Sequence, residues 1–298
     1  MLTPEQHGAL RTLQPLMWAE PGDRRTIEHE YALSIEPSSF YLGLPSVDEI
    51  RESFEYDAGG ESLPVHGREY FDLARECKLL RQIQGVAPPQ LEKLCSDTGF
   101  NWDNDQFSHS DALNLYLFLK WFNIRKVIEV GCGWSSRISS SVMQAQGGEL
   151  ICIDPSPRAD VQQLQAVFHQ KRIQDVDPDF IVAGVKPGDM LFIDSSHTLK
   201  PGSDCLYLYT RVVPKLQKGV YIHIHDLYLP YPRPMYQVLN ERRFWFEDYA
   251  VLLLMLGGVI TPLLSNFFLC KQPEAAKLML QPPCAGSKGG ASIFFVKN

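Results

Sequence analysis

Apolar residues follow two different patterns along the 298-residue chain. In the first hundred or so residues, short amphipathic stretches alternate with loops, and the clearest stretch, residues 68–84, repeats apolar positions every three to four residues. From Phe107 onward, helical stretches alternate with short apolar runs instead. This change predicts a helical cap over residues 1–106 and a second domain over residues 107–298.

Four of the apolar runs predict buried strands. They are Lys126–Val130, Glu149–Ile153, Met190–Ile193 and residues 220–224. Regular alternation of strand and helix indicates a doubly wound α/β fold with a mostly parallel sheet. Residues 260–270 and 291–297 predict two more strands, separated by a loop rich in proline and glycine. We expect these two to form an antiparallel hairpin at the sheet edge.

Residues 250–270 carry no charge and match a membrane span in length. Two glycines, a proline and a Ser-Asn pair interrupt them, so we predict a buried helix, a turn and a buried strand. The first residues show no basic stretch followed by an apolar one, which is the pattern of a secretory signal. We therefore expect a cytoplasmic protein without a membrane partner.

Charge and cysteine content narrow the class of protein. A formal net charge of -7 repels the phosphate backbone of a nucleic acid, so we expect no nucleic-acid partner. The seven cysteines are an odd number and contain no C-x-x-C pair. This pattern fits neither a disulfide framework nor a cysteine zinc site, and we expect reduced thiols.

A turn with two glycines follows the first predicted strand. Gly131 and Gly133 permit a tight turn, and their missing side chains let a ligand lie against the backbone just before a helix that begins near Ser135. A dinucleotide-binding turn has a third glycine where this chain has Ser136, so a pyrophosphate is not specially favoured. An ordinary strand-to-helix turn is the alternative.

An acidic residue closes the second predicted strand. Asp154 stands 23 positions after Gly131, and in a doubly wound fold such a carboxylate accepts both ribose hydroxyls of a nucleoside. The two residues together predict a nucleoside site. For Asp154 alone, capping of a helix before Pro155 is the alternative.

Polar residues are dense at the ends of two further strands. Asp194 and His197 follow one strand, and His225 and Asp226 close the other. Ligands of open α/β sheets bind beyond the carboxyl ends of the strands, so we expect these four side chains to face the same crevice as the nucleoside. His223 lies deeper in its strand, and we expect it to be structural.

Two later segments are rich in aromatic residues. Residues 228–236 contain three prolines and several tyrosines, which predicts a rigid loop over the site, with a surface lid that does not touch the substrate as the alternative. Residues 242–247 mix charge with large rings. We favour packing of those rings in the core.

From Phe107 to about Lys297 the chain resembles class I S-adenosylmethionine-dependent methyltransferases, in particular bacterial methyltransferase family 24. The resemblance rests on SDALNLYLFLKWF, VIEVGCGWSS, LICIDPSPR, GDMLFIDSSHTLKPGSD, VPKLQKGVYIHIHDLYLPYPRP, ERRFWFEDYAVLLL and GGASIFFVK. It implies a Rossmann-like seven-stranded sheet whose last strand is inserted antiparallel, and S-adenosylmethionine as the cofactor.

The resemblance also implies roles for single residues. Glu129 and Gly131 are expected beside the amino acid part of the cofactor, Asp154 on its ribose, and Gln174 with Asp175 near its adenine, although a cap or loop role suits the last two as well. The residues expected to contact the cofactor are Glu129, Gly131, Gly133, Ser135, Asp154, Gln174, Asp175 and Asp194.

The expected reaction is methylation of a small-molecule acceptor at oxygen or nitrogen. His197 or His225 suits the role of general base, because the imidazole pKa lies near neutrality, and Asp194 and Asp226 complete the expected catalytic set. The same four side chains can hold a divalent metal, a use that we rank second. Structural histidines with backbone partners rank third.

Two other functions stay open. The sulfonium can be displaced at another carbon, by aminocarboxypropyl transfer or by cyclisation to azetidine-2-carboxylate, and both reactions release methylthioadenosine. A non-catalytic Rossmann-like binding protein is the further alternative. The density of polar residues at two strand ends argues against it. The sequence names neither the acceptor nor the oligomeric state.

Overall fold

The computed structural model describes residues 1–36, 41–85, 99–102, 104–107, 109–157, 164–279 and 290–298. These residues form two compact units, residues 1–53 and residues 54–298. Half of the loop predicted between the last two strands, residues 280–289, lies outside the described residues. The predicted division of the chain at residue 106 remains a prediction.

The first unit is helical. Its helices are α1 (Pro4–Leu13), a 3-10 turn at Gln14–Trp18, α2 (Pro21–Tyr31) and α3 (Val47–Arg51). Proline stands in the first turn of α1 and of α2, where its missing N–H costs no hydrogen bond. Thr3 and Ser46 cap α1 and α3 through their hydroxyl oxygens, which accept backbone N–H groups of the first turn. The helices expected at the N-terminus are therefore present.

The second unit is built on a seven-stranded sheet. Its strands are β1 (Lys126–Val130), β2 (Glu149–Ile153), β3 (Val167–His169), β4 (Met190–Ile193), β5 (Tyr221–Ile224), β6 (Ile260–Ser265) and β7 (Ile293–Lys297). The spatial order is β3-β2-β1-β4-β5-β7-β6. Strands β1 to β5 pair in parallel, whereas β7 runs antiparallel between β5 and β6. The predicted Rossmann-like, mostly parallel sheet is confirmed.

Two details of the sheet differ from the prediction. The strand predicted over residues 260–270 ends at Ser265, because the Ser265 hydroxyl accepts the N–H of Phe268 at 3.4 Å and starts a helix there. Strand β3 was not predicted. It has three residues and starts with the exposed Val167 at the sheet edge, so its apolar pattern is too short to recognise.

Helices of the second unit cover both faces of the sheet. They are α4 (Leu73–Gln84), α5 (His109–Trp121), α6 (Trp134–Gln146), α7 (Pro178–Gly184), α8 (Asp204–Tyr207), α9 (Met235–Leu239), α10 (Glu247–Leu256), α11 (Asn266–Lys271) and α12 (Pro273–Ala276). The helix predicted over residues 68–84 begins later, at Leu73, because Asp72 caps it by accepting the N–H of Arg75. In the described part of the chain, no helix is long and apolar enough to cross a membrane.

Alternate residues of the central strands enter two separate cores. Ile128 and Val130 of β1 belong to one core, whereas Val127 belongs to the other. Because successive strand residues point to opposite faces, a strand covered on both sides must be apolar at almost every position. Each such side chain contributes about 1.5–3 kcal/mol by leaving water. The one charged residue within β1 that is fully buried is Glu129.

The ladder of the sheet continues one residue beyond several strands. The N–H of Gly131 donates to Ile153 at 3.0 Å, that of Asp194 to Val130 at 2.8 Å, and that of His225 to Ile193 at 3.0 Å. The residues that follow β1, β4 and β5 therefore lie side by side at the carboxyl edge of the sheet. Several of the predicted site residues therefore lie along this edge.

Candidate active site

A cavity of about 880 Å³ opens at this carboxyl edge. The turn after β1, the residue after β2 and the residues after β4 and β5 all line it. Volumes of several hundred cubic ångström at this position are typical of ligand sites in open α/β sheets. The cavity therefore joins the two groups of residues that the sequence singled out.

The two glycines of the turn meet different structural requirements. Gly131 has φ +81°, and a Cβ atom on it would lie 1.9 Å from the carbonyl oxygen of Asp194. A Cβ atom on Gly133 would meet nothing within 4 Å. Gly131 thus permits the close approach of β1 and β4, whereas Gly133 leaves open space in the cavity wall.

Glu129 lies beneath the turn. Its Oε1 accepts the hydroxyls of Ser135 at 2.6 Å and Ser136 at 2.8 Å, and the Ser136 oxygen accepts the N–H of Gly133 at 3.0 Å. Burial raises the pKa of Glu129 to about 7. Ser135 and Gly133 line the cavity, but Glu129 is fully buried behind them. Its side chain holds the turn in place from inside the fold.

Asp154 is at the cavity wall, where the sequence places the ribose site. One carboxylate oxygen accepts the N–H of Cys132 at 2.8 Å, and the other accepts the N–H of Ser156 at 2.6 Å. Gln174 also lines the cavity and donates to the carbonyl of Gly202 at 3.0 Å. Asp175 instead pairs with Arg172 at 2.8 Å on the surface. The structure thus brings Asp154 and Gln174 to the cavity and turns Asp175 away.

Four polar side chains meet after β4 and β5. His197 Nε2 lies 3.4 Å from Asp194 Oδ1 and 3.5 Å from Asp226 Oδ2. His225 Nδ1 lies 3.4 Å from the same Asp194 oxygen. All four residues line the cavity. Their spacing in the sequence predicted this convergence, and their catalytic roles remain predictions.

His225 is held between two carboxylates. Its Nε2 lies 3.5 Å from Asp111, opposite the contact of its Nδ1 with Asp194. Burial alone would lower the pKa of His225, but the nearby Asp226 and Asp194 carboxylates outweigh burial and raise it. Conversely, burial alone would raise the pKa of Asp194, yet His225 and His197 hold it well below its usual range.

His197 is fixed on two sides. Its Nδ1 lies 2.7 Å from Glu247 Oε2, and its ring stacks on Trp245 with centroids 4.5 Å apart. Burial by itself would lower the pKa of His197, but Glu247, followed by Asp194, raises it to about 10. These two carboxylates therefore favour the protonated form of the imidazole.

His223 is separate from the cluster. It stacks on Phe294 with ring centroids 4.1 Å apart and meets the edge of Phe192. Neither ring nitrogen has a hydrogen-bond partner among the described residues. Burial lowers the pKa of His223 to about 3, so the ring is neutral. These contacts suit the structural role that was expected for it.

The aromatic segments are placed differently from expectation. Within residues 228–236, Tyr228, Tyr231 and Arg233 are buried, and none of them lines the cavity. Arg233 lies between the rings of Tyr228 and Trp245 and donates to the carbonyl of Asp226 at 2.9 Å. Trp245 itself lines the cavity. The loop therefore supports the site from behind, and one ring assigned to the core faces the ligand space.

The sequence interpretation missed Glu247, Trp245 and Asp111. Glu247 is entirely buried at the start of the apolar helix α10. A charged pair, Glu247 and Asp248, before the apolar run AVLLL was the available signal, but acidic residues are common in the first turn of any helix. Only the folded chain shows that this carboxylate reaches His197.

The cluster also has the composition of a metal site. Asp194, His197 and Asp226 each offer one ligand atom, and these atoms lie within 4.8 Å of one another. Mixed imidazole and carboxylate donors suit several divalent metals. The same atoms make the contacts of His197 Nε2 with Asp194 and Asp226 at 3.4 and 3.5 Å.

Comparisons with solved structures give several distant likenesses. An O-methyltransferase from Streptomyces achromogenes involved in tomaymycin synthesis, in complex with S-adenosylmethionine, is 17% identical over 76% of this chain and 98% of its own, with a TM-score of 0.43. An O-methyltransferase from Bacillus cereus is 14% identical over 76% and 100%, with a TM-score of 0.41. Similarity at this level says nothing about the acceptor.

The family comparison is more specific. No curated protein matches the chain. Residues 128–227 match methyltransferase family 24, described as a methyltransferase domain. The match covers the glycine turn, Asp154 and all four residues of the cluster after β4 and β5. The match spans about a third of the chain, and the sheet order agrees with the class I S-adenosylmethionine-dependent methyltransferase fold that the sequence predicts.

Proposed function

We propose that the chain transfers the methyl group of S-adenosylmethionine to an oxygen or nitrogen of a small-molecule acceptor. One observation carries the proposal: a single cavity runs from the glycine turn and Asp154 to His197 and His225. Its volume of about 880 Å³ suits a nucleoside cofactor together with a small acceptor. Both reactants therefore have room in one cavity.

The residues at one end of the cavity fit an adenosyl group. Gly133 leaves open space where a side chain would stand. The two Asp154 oxygens each accept one backbone N–H, and each keeps a lone pair for a ribose hydroxyl. When bound, S-adenosylmethionine supplies a methyl group activated by positively charged sulfur.

The residues at the other end suit an acceptor that must lose a proton. His197 Nε2, flanked by Asp194 and Asp226, is the base that such an acceptor meets. With a pKa of about 10, His197 binds a proton strongly. A positive charge entering the cavity lowers this pKa, because like charges repel, and leaves more of the imidazole free to accept the proton of the acceptor.

Cofactor binding is the first test. Isothermal titration of the intact chain with S-adenosylmethionine should show binding, and Asp154→Ala should weaken it by about 10- to 100-fold, the cost of lost hydrogen bonds to a charged group. Asp175→Ala is the matched control, since this neighbouring acid pairs with Arg172 on the surface. Lack of binding by the intact chain would end the proposal.

Product analysis is the second test. The chain is incubated with S-adenosylmethionine and a panel of phenols, catechols, carboxylic acids and amines, and the cofactor products are separated by mass. S-adenosylhomocysteine that forms only with an acceptor supports methyl transfer. Methylthioadenosine that forms from cofactor alone supports cyclisation, whereas methylthioadenosine that forms only with an acceptor supports aminocarboxypropyl transfer. Binding without any turnover favours a non-catalytic protein.

A chelator distinguishes the role of His197 as a base from the role of the cluster as a metal site. With His197 as the base, turnover of the best acceptor in the panel should change by less than about twofold in excess EDTA, because an imidazole accepts a proton without the help of a metal. Loss of turnover in EDTA, with recovery on addition of Mg²⁺ or Mn²⁺, assigns the cluster to metal binding instead.

A further inference from the structure

We infer that Glu247 is the positioning residue of the reaction: it fixes the His197 ring so that Nε2 faces the cavity. The inference rests on the proposed function, in which His197 takes the proton of the acceptor. It concerns a residue that does not line the cavity and that reaches the site through His197 and Ser195, which do line it.

Glu247 and His197 are joined by two contacts. The side chains meet at Nδ1 and Oε2, 2.7 Å apart, and the backbone N–H of Glu247 donates to the carbonyl of His197 at 3.3 Å. His197 has φ +59°, an uncommon conformation for a residue with a side chain. The hydroxyl of Ser195 accepts its N–H at 3.1 Å and stabilises this conformation.

The carboxylate of Glu247 is itself held in place. Its Oε1 accepts the hydroxyl of Ser195 at 2.8 Å and that of Tyr209. The side chain is entirely buried, and a buried carboxylate is costly unless hydrogen bonds surround it. With the His197 imidazole and the Cys205 thiol, whose sulfur lies 3.8 Å from Oε1, four donors on two oxygens leave the group one orientation. An apolar side chain would fill an ordinary core position at the start of an apolar helix without these hydrogen bonds.

These contacts decide which nitrogen of His197 is available. A carboxylate accepts hydrogen bonds, so Nδ1 carries its proton towards Glu247. Nε2 then points to the side of the ring where Asp194 and Asp226 lie, 3.4 and 3.5 Å away. Trp245 stacks on the ring face and restricts its rotation. The proton from the acceptor is therefore received at Nε2, while Glu247 stabilises the positive charge that develops on the ring.

The first test uses nuclear magnetic resonance and needs no acceptor. In the chain labelled with ¹⁵N-histidine, with S-adenosylhomocysteine as the added probe, the Nδ1 proton of His197 should resonate far downfield, as in a charge-assisted hydrogen bond. His197→Asn identifies the signal by its loss. Glu247→Gln should move the signal upfield, because a neutral amide is a weaker acceptor. A signal that Glu247→Gln leaves in place overturns the inference.

The second test measures turnover of the best acceptor in the panel above. Glu247→Gln should lower kcat by about 100-fold, the size of effect expected when a general base is misplaced, with KM and the Kd of the cofactor changed by less than about threefold. Tyr209→Phe keeps the charge of Glu247 and removes one donor, so its effect should be below about tenfold.

Glu76→Gln is the matched control for replacing a buried carboxyl group by an amide, since Glu76 contacts Ser265 and neither residue lines the cavity. Equal losses of kcat in Glu247→Gln and Glu76→Gln, or a loss that appears only in KM, overturn the inference and leave Glu247 a structural residue. Failure of the proposed function gives a different result. The intact chain then methylates no acceptor, while the resonance of His197 still reports on Glu247.

Discussion

The carbonyl oxygen of Asp194 occupies the space that a side chain on Gly131 would need. A Cβ atom at position 131 would lie 1.9 Å from it. The oxygen cannot retreat freely, because the N–H of Asp194 donates to Val130 at 2.8 Å and joins β4 to β1 at this point. The turn that faces the cofactor space and the first residue of the acid-base cluster are therefore locked together by backbone packing.

Gly131→Ala should destabilise the chain strongly. The substitution adds a backbone clash to an unfavourable φ of +81°, and we expect the free energy of unfolding to fall by at least about 3 kcal/mol. Gly188→Ala is the matched control, because Gly188 has φ +93° but no atom within 4 Å of its Cβ position. It should cost only about 1–2 kcal/mol. Equal losses in urea denaturation would show that the clash contributes nothing.

Glu76 should make stability depend on pH. It lies on α4, where Oε2 accepts the N–H of Ser265 at 2.7 Å and Oε1 has no partner among the described residues. Burial raises its pKa from 4.5 to about 8. Between these two values the folded chain holds a proton that the unfolded chain releases. Stability therefore falls as pH rises through this range, by at most about 1.4 kcal/mol per pH unit.

Glu76→Gln should remove this contribution, because the amide resembles the protonated acid in shape and does not titrate. The difference in free energy of unfolding between the variant and the wild type should grow in favour of the variant from pH 5 to about pH 8 and then level off. Glu69→Gln, at an exposed position, controls for the loss of one negative charge. A difference that is flat over this range contradicts the prediction.

His223→Leu should leave the chain at least as stable as the wild type. The ring nitrogens of His223 are buried without a described partner, which costs free energy that an apolar side chain of similar size avoids. The stacking on Phe294 that is lost is worth about 0.5–1.5 kcal/mol and offsets part of the gain. Thermal denaturation measures the change, and a loss of stability above about 2 kcal/mol would contradict the prediction.

Arg233→Lys should lower turnover without weakening the cofactor. Arg233 is buried between two aromatic rings and donates to the carbonyl of Asp226 at 2.9 Å, so it fixes the backbone of the acid-base cluster. Lysine lacks the planar fork that stacks and donates in two directions. We expect kcat to fall by about tenfold with the Kd for S-adenosylmethionine unchanged in titration, since Asp154 follows β2, which β1 and β4 separate from β5. An equal loss of cofactor affinity would contradict this division of the cavity.

Local patterns in the sequence were enough to predict most of the sheet and much of the site. The bounds of β1, β2 and β4 follow from short apolar runs, because strands covered on both faces have apolar residues at nearly every position. Asp194 and His225 were predicted to converge, and Asp154 was predicted to face the same crevice, for a related reason. Parallel strands bring their carboxyl ends to one edge of the sheet, so the residues that follow them line the same edge.

The sequence determined the sheet, the glycine turn and the polar row at its edge, because these depend on periodicity and on spacing within a strand-turn-helix unit. The tertiary structure alone decided that Glu247, 50 positions after His197, turns a carboxylate inward to hold that ring, and that Trp245 stacks on it. Contacts between separate helices and loops depend on how those elements pack. No local pattern of hydrophobic and polar residues records that packing.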